Sequence, residues 1–272
     1  MEDSYSSTEV CMIYVGFISL WMFIGRIIVP STFKKFFEKS VEPARANQYT
    51  NLMTSLLHAL ISCSWGYVIF ERDFRQHINN SEDYARINQF TKGVYAKSSQ
   101  LVGINTLSYF MYDTVDYYQK LGSVAKNWDM YLHHAIVFLL FIPATMNWAL
   151  LPIATYSLQI EFSNVFLHTR RLMLWSGHTK DSRIYKINFV ALIITFFALR
   201  MYMVWVGTGA VFNFWRNFDS YEIDYPLPAV FPFCCYFVIN IINLVMFVQL
   251  YKSDFKKNSV KKLKKSGMSW CD

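Results

Sequence analysis

Seven long runs of apolar and aromatic residues, separated by polar segments, dominate the pattern of this sequence. They cover approximately residues 11–30, 50–70, 99–118, 129–147, 149–170, 187–207 and 229–250. A helix needs about 20 mostly apolar residues to cross the hydrocarbon core of a bilayer, and the short alternating segments of a membrane β-barrel do not occur. The pattern therefore predicts an all-α, polytopic membrane helical bundle with about seven transmembrane helices. Six are possible, if the fourth or fifth run, separated only by Asn147 and Trp148, is re-entrant.

Basic residues between the runs indicate the orientation, because Lys and Arg are enriched in cytosolic loops. They follow the first, third, fifth and last runs, at Lys34, Lys35, Lys39, Arg45, Lys120, Lys126, Arg170, Arg171, Lys180, Arg183, Lys186 and in the tail. We therefore expect the N-terminus outside and the C-terminus in the cytosol. The sequon Asn79-Asn80-Ser81 then lies on the outer side, which makes Asn79 a candidate glycosylation site.

Composition agrees with a membrane protein, since 54% of the residues are hydrophobic and 17% are charged. The acidic start MEDSYSSTEV lacks the basic region of a cleavable signal peptide, so the first run is read as an uncleaved span. The net charge of +7 is concentrated in seven lysines between 252 and 265. This cluster either binds anionic lipid headgroups or forms a solvated tail that sets the topology. Nucleic-acid binding is not expected, because no basic face is interleaved with aromatics in a soluble domain.

Five ionisable residues lie inside the apolar runs, namely His58, Asp113, His133, His134 and Glu161. An Asp or Lys at the centre of an inserted helix costs about 2.5–3.5 kcal/mol, so such residues usually face the bundle interior and mark a site. Counted at about 1.5 Å per helical residue, all five fall in the cytosolic half of the bilayer. The sequence therefore predicts one shared site that opens inward.

The two adjacent histidines cannot both face one ligand, because neighbouring residues on a helix point about 100° apart. Asp129, four residues before His133, is placed to accept its ring N–H, which leaves a structural role open for one histidine. Asp116 shares a helix face with Asp113 and either joins the site or reaches interfacial water.

The helix with Glu161 carries further polar residues. A carboxyl group at that depth must be neutral or paired, and Asn164 adds a hydrogen-bonding group one turn later. His168 and Arg170 lie at the cytosolic boundary, where snorkelling to phosphates is expected for the arginine. Arg200 lies deeper and either pairs with an acid on a neighbouring helix or snorkels outward.

Four of these residues are candidates for catalysis and four for lipid binding. The candidate catalytic residues are Asp113, His133, His134 and Glu161, and the candidate lipid-binding residues are His58, Asp116, Asn164 and His168. The five cysteines show no CxxC spacing, and no zinc, Walker or GxGxxG pattern occurs. We therefore expect neither a metal ion nor a bound cofactor.

These motifs, in this order, resemble the TLC-domain family (TRAM, Lag, CLN). The pattern runs through NLMTSLLHALISCSWG (51–66), SYFMYDTVDYY (108–118), WDMYLHHAIVFLLF (128–141), QIEFSNVFLHTRRLM (159–173), YKINFVALIITFFALR (185–200) and YKSDF (251–255). The resemblance implies a TLC domain over residues 44–255. An N-terminal segment with the first transmembrane helix (1–43) and a basic cytosolic tail (256–272) lie outside it.

Within the family the chain is most similar to the calfacilitin-like plasma-membrane subgroup, TLC domain-containing proteins 1 and 2. That resemblance implies a regulator of plasma-membrane phospholipid composition and fluidity, which limits incorporation of polyunsaturated chains and promotes rigidity. The implied partners are membrane phospholipids or acyl lipids. Family membership leaves open whether the action is catalytic, and the endoplasmic reticulum is the alternative location. The oligomeric state is not predicted.

Two other functions are compatible with the same residues. Ceramide synthases share the domain, and in them the HH pair is tied to acyl transfer from acyl-CoA. Those enzymes carry HD-x-x-D on the next helix, whereas LQIEFSNVFLHTRR (158–171) stands here, which argues against sphingoid-base N-acylation but not against acyl transfer to another acceptor. A lipid or ion transporter would also use intramembrane carboxylates and imidazoles.

Overall fold

A computed structural model describes residues 5–74, 97–121, 128–146, 151–216 and 230–255, and its regular elements in these ranges are all helical. The α-helices are α1 (Ser7–Phe23), α2 (Val29–Phe36), α3 (Ala46–Ile69), α4 (Lys97–Leu121), α5 (Trp128–Thr145), α6 (Leu151–Ser157), α7 (Glu161–Trp175), α8 (Arg183–Thr195), α9 (Val204–Arg216) and α10 (Val230–Phe255). A capping box begins α1, in which the Ser6 hydroxyl accepts from the Glu9 N–H and the Glu9 carboxylate accepts from the Ser6 N–H.

Short irregular helices join several of these elements end to end. A π-helical segment, Ile24–Ile28, connects α1 to α2, and a second, Phe196–Met203, connects α8 to α9. A 3₁₀ turn, Leu158–Ile160, connects α6 to α7. Within the described ranges the helices thereby form seven continuous segments, one in each apolar run, and the prediction of an all-helical protein is confirmed.

Four of the described helical segments are long and apolar enough to cross a membrane, and they identify a helical membrane protein. They are Ser7–Phe36, Pro43–Arg72, Arg183–Gly209 and Val230–Asp254, and a shorter apolar helix runs over Met130–Thr145. The outer faces of these helices carry large apolar side chains. Ile187, Ile194 and Trp205 are 70%, 63% and 72% exposed, which suits a surface in contact with lipid acyl chains.

Polar side chains and glycines hold the helices together inside the bundle. The Tyr14 and Thr145 hydroxyls are 2.6 Å apart, and the Trp21 indole N–H donates to Asn105 Oδ1 at 3.1 Å. A Cβ at Gly25 would lie 1.9 Å from the hydroxyl oxygen of Tyr112. Close approach at a glycine is a common way for membrane helices to pack, because dispersion forces need short distances.

Helix termini from different segments contact each other on two sides of the bundle. At one end, the Tyr5 N–H donates to the Gln100 side chain at 2.9 Å, which brings the start of α1 to the start of α4. At the other end, the Tyr49 hydroxyl lies 2.9 Å from the Ser176 hydroxyl, and Arg170 binds Asp254. The start of α3 and the ends of α7 and α10 therefore lie on the same side.

Candidate functional site

A cavity opens between α4, α5, α6, α7, α9 and α10, and its lining is polar at one end. It comprises about 740 Å³ of space free of protein atoms, including the open space at its mouth. The polar end is formed by His133, Glu161, Arg200 and Asn243. Apolar residues line the middle, namely Val137, Leu140, Phe141, Ile153, Ala154, Leu158, Ile160, Val204 and Ile239. The cavity therefore has the character of an amphipathic binding site.

The opposite end of the cavity is lined by a pair of hydroxyl groups. Ser157 and Tyr236 both line the cavity, and their side-chain oxygens are 2.5 Å apart. The Tyr236 ring packs against Gly207, where a Cβ would lie 2.7 Å from Cε1 of the ring. Along α5 the lining extends from His133 to Phe141, which are eight residues apart, and this corresponds to about 12 Å of helix.

Arg200 is the main charged group of the polar end, and neutral side chains bind it. Its guanidinium donates to Ser163 Oγ at 2.7 Å, to Asn243 Oδ1 at 2.9 Å and to Asn164 Oδ1 at 2.5 Å. The side chain is 5% exposed. Arg200 therefore does not snorkel, and among the described residues no carboxylate oxygen lies within 4 Å of it.

A π-helical segment positions this arginine. Arg200 lies within Phe196–Met203, and its backbone carbonyl accepts from Asn243 Nδ2 at 3.1 Å. Asn243 thus binds both the backbone and the guanidinium of one residue, while being 1% exposed itself. π-helical turns inside α-helices are frequent at functional sites, since they alter the direction of side chains and free backbone carbonyls.

Glu161 meets the arginine indirectly, through the carboxamide of Asn164. Asn164 Nδ2 donates to Glu161 Oε2 at 2.9 Å, while Asn164 Oδ1 accepts from Arg200. Asn164 thus joins the Glu161 carboxyl to Arg200 without a direct ion pair, and the sequence prediction that this carboxyl is neutral or paired stays a prediction. Asn164, a predicted lipid-binding residue, acts here as the link between the two charged side chains.

A second polar cluster joins α3 to α4, beside the cavity. Asn51 Nδ2 donates to Asp113 Oδ1 at 2.9 Å and lies 3.2 Å from Asp116 Oδ2. Lys120 Nζ is 2.9 Å from Asp116 Oδ2. Asp116 is only 2% exposed, so of the two alternatives left open for it the contact with interfacial water is excluded. The amide of Asn51 compensates both carboxylates, and neither of them lines the cavity.

The two adjacent histidines point to different surroundings, as the helical geometry predicts. His134 is 4% exposed, with Nδ1 at 2.8 Å from the Thr114 hydroxyl and Nε2 at 3.5 Å from Asp113 Oδ2. Because the single Thr114 hydroxyl proton is donated to the Phe110 carbonyl at 2.7 Å, His134 Nδ1 carries the proton in their contact. Its Nε2 then faces the Asp113 carboxyl.

His133 lines the cavity and is partly exposed. Its ring contacts Phe110 at 5.9 Å between centroids, and no hydrogen bond joins it to another described side chain. The side chain of Asp129, predicted to accept from this ring, lies outside the described part of the structure. His133 is therefore the imidazole that a ligand in the cavity would meet.

The other two predicted lipid-binding histidines lie outside the cavity lining. His58 is 1% exposed, stacks on Tyr109 with centroids 3.7 Å apart, and has Nε2 at 2.8 Å from Ser62 Oγ. Trp21 covers it edge-on. These contacts make it part of the packed core between α1, α3 and α4. His168 is partly buried on α7 and is not among the cavity-lining residues.

Arg170 also differs from expectation, because it forms a buried ion pair. Its Nε and Nη2 lie 2.8 and 2.5 Å from Asp254 Oδ2, and the side chains of Arg170 and Asp254 are 8% and 6% exposed. The Tyr185 hydroxyl donates to Asp254 Oδ1 at 2.7 Å, and Lys180 Nζ lies 3.1 Å from the same oxygen. The prediction that Arg170 snorkels to phosphates is wrong.

Several functional residues were not identified from sequence. Asn51 and Asn243 are single amides in apolar runs, and only their contacts reveal them. Asp254 belongs to the YKSDF segment, which resembles the family, but the sequence did not indicate that Asp254 pairs with Arg170. Two predictions lie outside the described residues: glycosylation at Asn79 and lipid binding by the lysines of 256–272. Within the described ranges no cluster of three or more His, Cys, Asp or Glu is arranged to hold a metal ion.

The fold and the cavity define a class of protein: a helical integral membrane protein with an amphipathic cavity inside its bundle. The TLC domain model matches residues 48–252, and the chain belongs to the TLC domain family. The predicted resemblance is thereby confirmed, and the family indicates a membrane lipid-related role.

Similar proteins come from several vertebrates. The chain is 26% identical over 253 residues to TLC domain-containing protein 2 of Danio rerio, which covers 91% of this chain and 90% of that protein. It is 21% identical over 223 residues to TLC domain-containing protein 1 of Homo sapiens, with 81% of each chain covered. The TLC domain-containing protein 1 of Gallus gallus is 23% identical over 167 residues, which cover 60% of this chain and 61% of that protein.

Proposed function

We propose that this protein regulates the acyl composition of plasma-membrane phospholipids, limiting incorporation of polyunsaturated chains and promoting membrane rigidity. The cavity carries the proposal, because charged and polar side chains line one end and mostly apolar side chains line its middle. An acyl chain fits the apolar part while a polar head lies near His133, Glu161 and Arg200. The relation to TLC domain-containing proteins 1 and 2 supports a lipid ligand.

Cells that lack the protein test this proposal by lipidomics. We expect more polyunsaturated chains in phosphatidylethanolamine and phosphatidylcholine, with lower bilayer order, and restoration of both by the wild-type chain. Ala154→Trp fills the cavity from a buried lining position, so it should fail to restore them. Ala135→Trp is the matched control, because Ala135 is exposed on α5 and outside the lining. Unchanged acyl unsaturation and order in the deficient cells would refute the proposal.

We also propose a seven-span topology with the N-terminus outside and the C-terminus in the cytosol. The seven continuous helical segments support the count. The ends of α7 and α10 lie on the same side of the bundle, because Arg170 and Lys180 contact Asp254 there. Basic residues flank both ends, which supports a topology in which both spans end in the cytosol. Epitope tags at both termini and glycosidase treatment of wild-type and Asn79→Gln chains test it. Two tags on the same side of the membrane would contradict the proposal.

An acyltransferase is the second candidate function, and the position of His133 favours it. The ring lines the cavity and is free to accept a proton from a ligand. In such a reaction an acceptor hydroxyl attacks the thioester carbonyl of acyl-CoA while His133 takes its proton. The carbon–sulfur bond then breaks, the proton passes to the thiolate, and an ester and free CoA are formed.

Purified protein with labelled acyl-CoA and a panel of lipid acceptors separates the two candidates. The enzyme hypothesis expects labelled product from the wild-type chain and a loss of about 100-fold or more in His133→Ala, the scale of general-base catalysis. His134→Ala should retain more activity, because His134 faces Asp113 instead of the cavity. Folded His133→Ala protein with a full lipid effect in cells would rule out catalysis by this residue.

A further inference from the structure

The polar end of the cavity presents a carboxyl group and a guanidinium group that are held apart. Glu161 and Arg200 both line the cavity, and the Asn164 carboxamide stands between them. Asn164 donates to Glu161 through its nitrogen and accepts from Arg200 through its oxygen. Among the described residues, neither charged group has an oppositely charged side-chain atom within 4 Å. The Asn164 bridge thus fixes both side chains while keeping the charges separate.

Both groups retain unused hydrogen-bonding capacity. A guanidinium has five N–H donors, and three are engaged by Ser163, Asn164 and Asn243. A carboxylate has about four acceptor positions, and Asn164 occupies one of those on Glu161. Arg200 is a paired donor suited to phosphate or carboxylate oxygens, and Glu161 is an acceptor suited to a cation. The cavity end therefore offers complementary sites for a group that carries both charges.

We propose that this end of the cavity binds the head group of a zwitterionic phospholipid, with the phosphate at Arg200 and the choline or ethanolamine nitrogen at Glu161. The inference rests on the proposed function and specifies the class of lipid. A singly anionic lipid would satisfy Arg200 but would place its charge near Glu161, which lowers its relative affinity. Zwitterionic lipids meet both charges and leave neither uncompensated.

Binding of short-chain, water-dispersible phospholipids to the purified full-length protein tests the head-group preference. The probes are dioctanoyl phosphatidylcholine, phosphatidylethanolamine and phosphatidylglycerol, and octanoate serves as an anion without a second charge. For the wild-type chain we expect the first two to bind about tenfold more tightly than phosphatidylglycerol, the scale of one hydrogen bond or ion contact to a charged group. Affinity is measured by titration, and stabilisation by the shift in Tm.

Glu161→Gln isolates the contribution of the carboxylate charge. Glutamine keeps an oxygen that accepts from Asn164, so the fold should be preserved, and the preference for zwitterionic over anionic lipids should fall to about one. Arg200→Lys retains the charge but loses the forked donor, so all three phospholipids should bind about tenfold more weakly. Glu38→Gln removes an exposed carboxylate far from the cavity lining and should leave the preference unchanged.

The outcomes separate this inference from the proposed function. If the wild-type chain binds none of the phospholipids, a lipid-binding cavity is refuted and the head-group assignment falls with it. If lipids bind but phosphatidylglycerol or octanoate competes equally with phosphatidylcholine, the zwitterionic assignment alone is refuted. The same holds if folded Glu161→Gln keeps the wild-type preference, because Glu161 and Arg200 would then serve only to compensate each other through Asn164.

Discussion

Replacement of Asp254 by asparagine should destabilise the end of the bundle where α7, α8 and α10 meet. Asp254 accepts from Arg170 through Oδ2, at 2.8 and 2.5 Å, and from the Tyr185 hydroxyl through Oδ1, at 2.7 Å. Lys180 lies 3.1 Å from Oδ1. The substitution keeps the size of the side chain, removes the negative charge and turns one acceptor atom into a donor. Whichever way the amide is oriented, its NH₂ group faces existing donors.

The expected loss follows from the burial of the pair. Removing one partner of a buried ion pair costs about 3–5 kcal/mol, because the other charge is left without compensation. Arg170 and Asp254 are 8% and 6% exposed, so this range applies to them. Lys180 is 31% exposed, so water can compensate its charge when Asp254 is replaced. The expected loss of stability therefore lies at the lower end of this range. We therefore expect about 3 kcal/mol for Asp254→Asn.

Unfolding of the purified protein in detergent micelles measures this loss. Glu42→Gln is the internal control, because Glu42 forms an ion pair with Arg45 at 3.2 Å in which the side chains are 63% and 49% exposed. Exposed pairs contribute about 0–1 kcal/mol. The same carboxylate-to-amide change should therefore have a large effect at Asp254 and almost none at Glu42. A double-mutant cycle with Arg170→Gln gives the coupling energy between the buried partners.

Equal, small effects of Asp254→Asn and Glu42→Gln would refute the reasoning. They would mean that Arg170 finds other compensation, such as water or lipid phosphate, when its carboxylate partner is neutral. A cycle with no coupling between Arg170 and Asp254 would lead to the same conclusion. The original expectation that Arg170 snorkels to the membrane surface would then describe the protein better than the ion pair does.

Further predictions concern glycines and the end of the cavity that Tyr236 lines. Gly25→Ala should cost about 1–3 kcal/mol by overpacking, because its Cβ would lie 1.9 Å from the Tyr112 hydroxyl oxygen. Gly16→Ala, with no atom within 4 Å of the added Cβ, should be neutral or slightly stabilising when unfolding is measured in detergent micelles. Gly207→Ala should push the Tyr236 ring into the cavity and weaken binding of longer acyl chains relative to shorter ones. Tyr236→Leu should have the opposite effect in a chain-length series, and an unchanged chain-length profile in both variants would exclude a role for this ring.

The helical segments could be predicted because their signal is local. A run of about 20 apolar residues is long enough to identify a membrane helix without knowledge of its neighbours. The different directions of His133 and His134 also follow from helix geometry alone. The irregular turns did not follow from the pattern. The π-helical segment at Phe196–Met203 is bound by the side chain of Asn243 from another helix, which accepts from the Arg200 guanidinium and donates to the Arg200 carbonyl.

The errors concern residues whose environment is set by distant parts of the chain. Depth alone suggested that Asp116 and Arg170 reach the membrane surface. Asp116 is instead bound by Asn51, 65 residues earlier, as well as by Lys120 on its own helix, and Arg170 is compensated by Asp254, 84 residues later. A charged residue near the end of a span can turn inward when a partner from another helix repays part of its desolvation. The sequence shows the charge and its depth, whereas the partner is known only from the packing.

The distribution of acid–base groups around the cavity bears on whether a lipid is held or reacts there. Efficient general-base catalysis usually needs a histidine that meets the ligand and a third group that orients the ring. These two requirements are divided between neighbouring residues. His134 has an orienting carboxyl at Asp113 but faces away from the cavity, while His133 lines the cavity without a hydrogen bond from any described side chain. Glu161, which does line the cavity, is engaged by Asn164. This division favours a site that holds a lipid head group, so measurements of binding are more informative first tests of this cavity than assays of turnover.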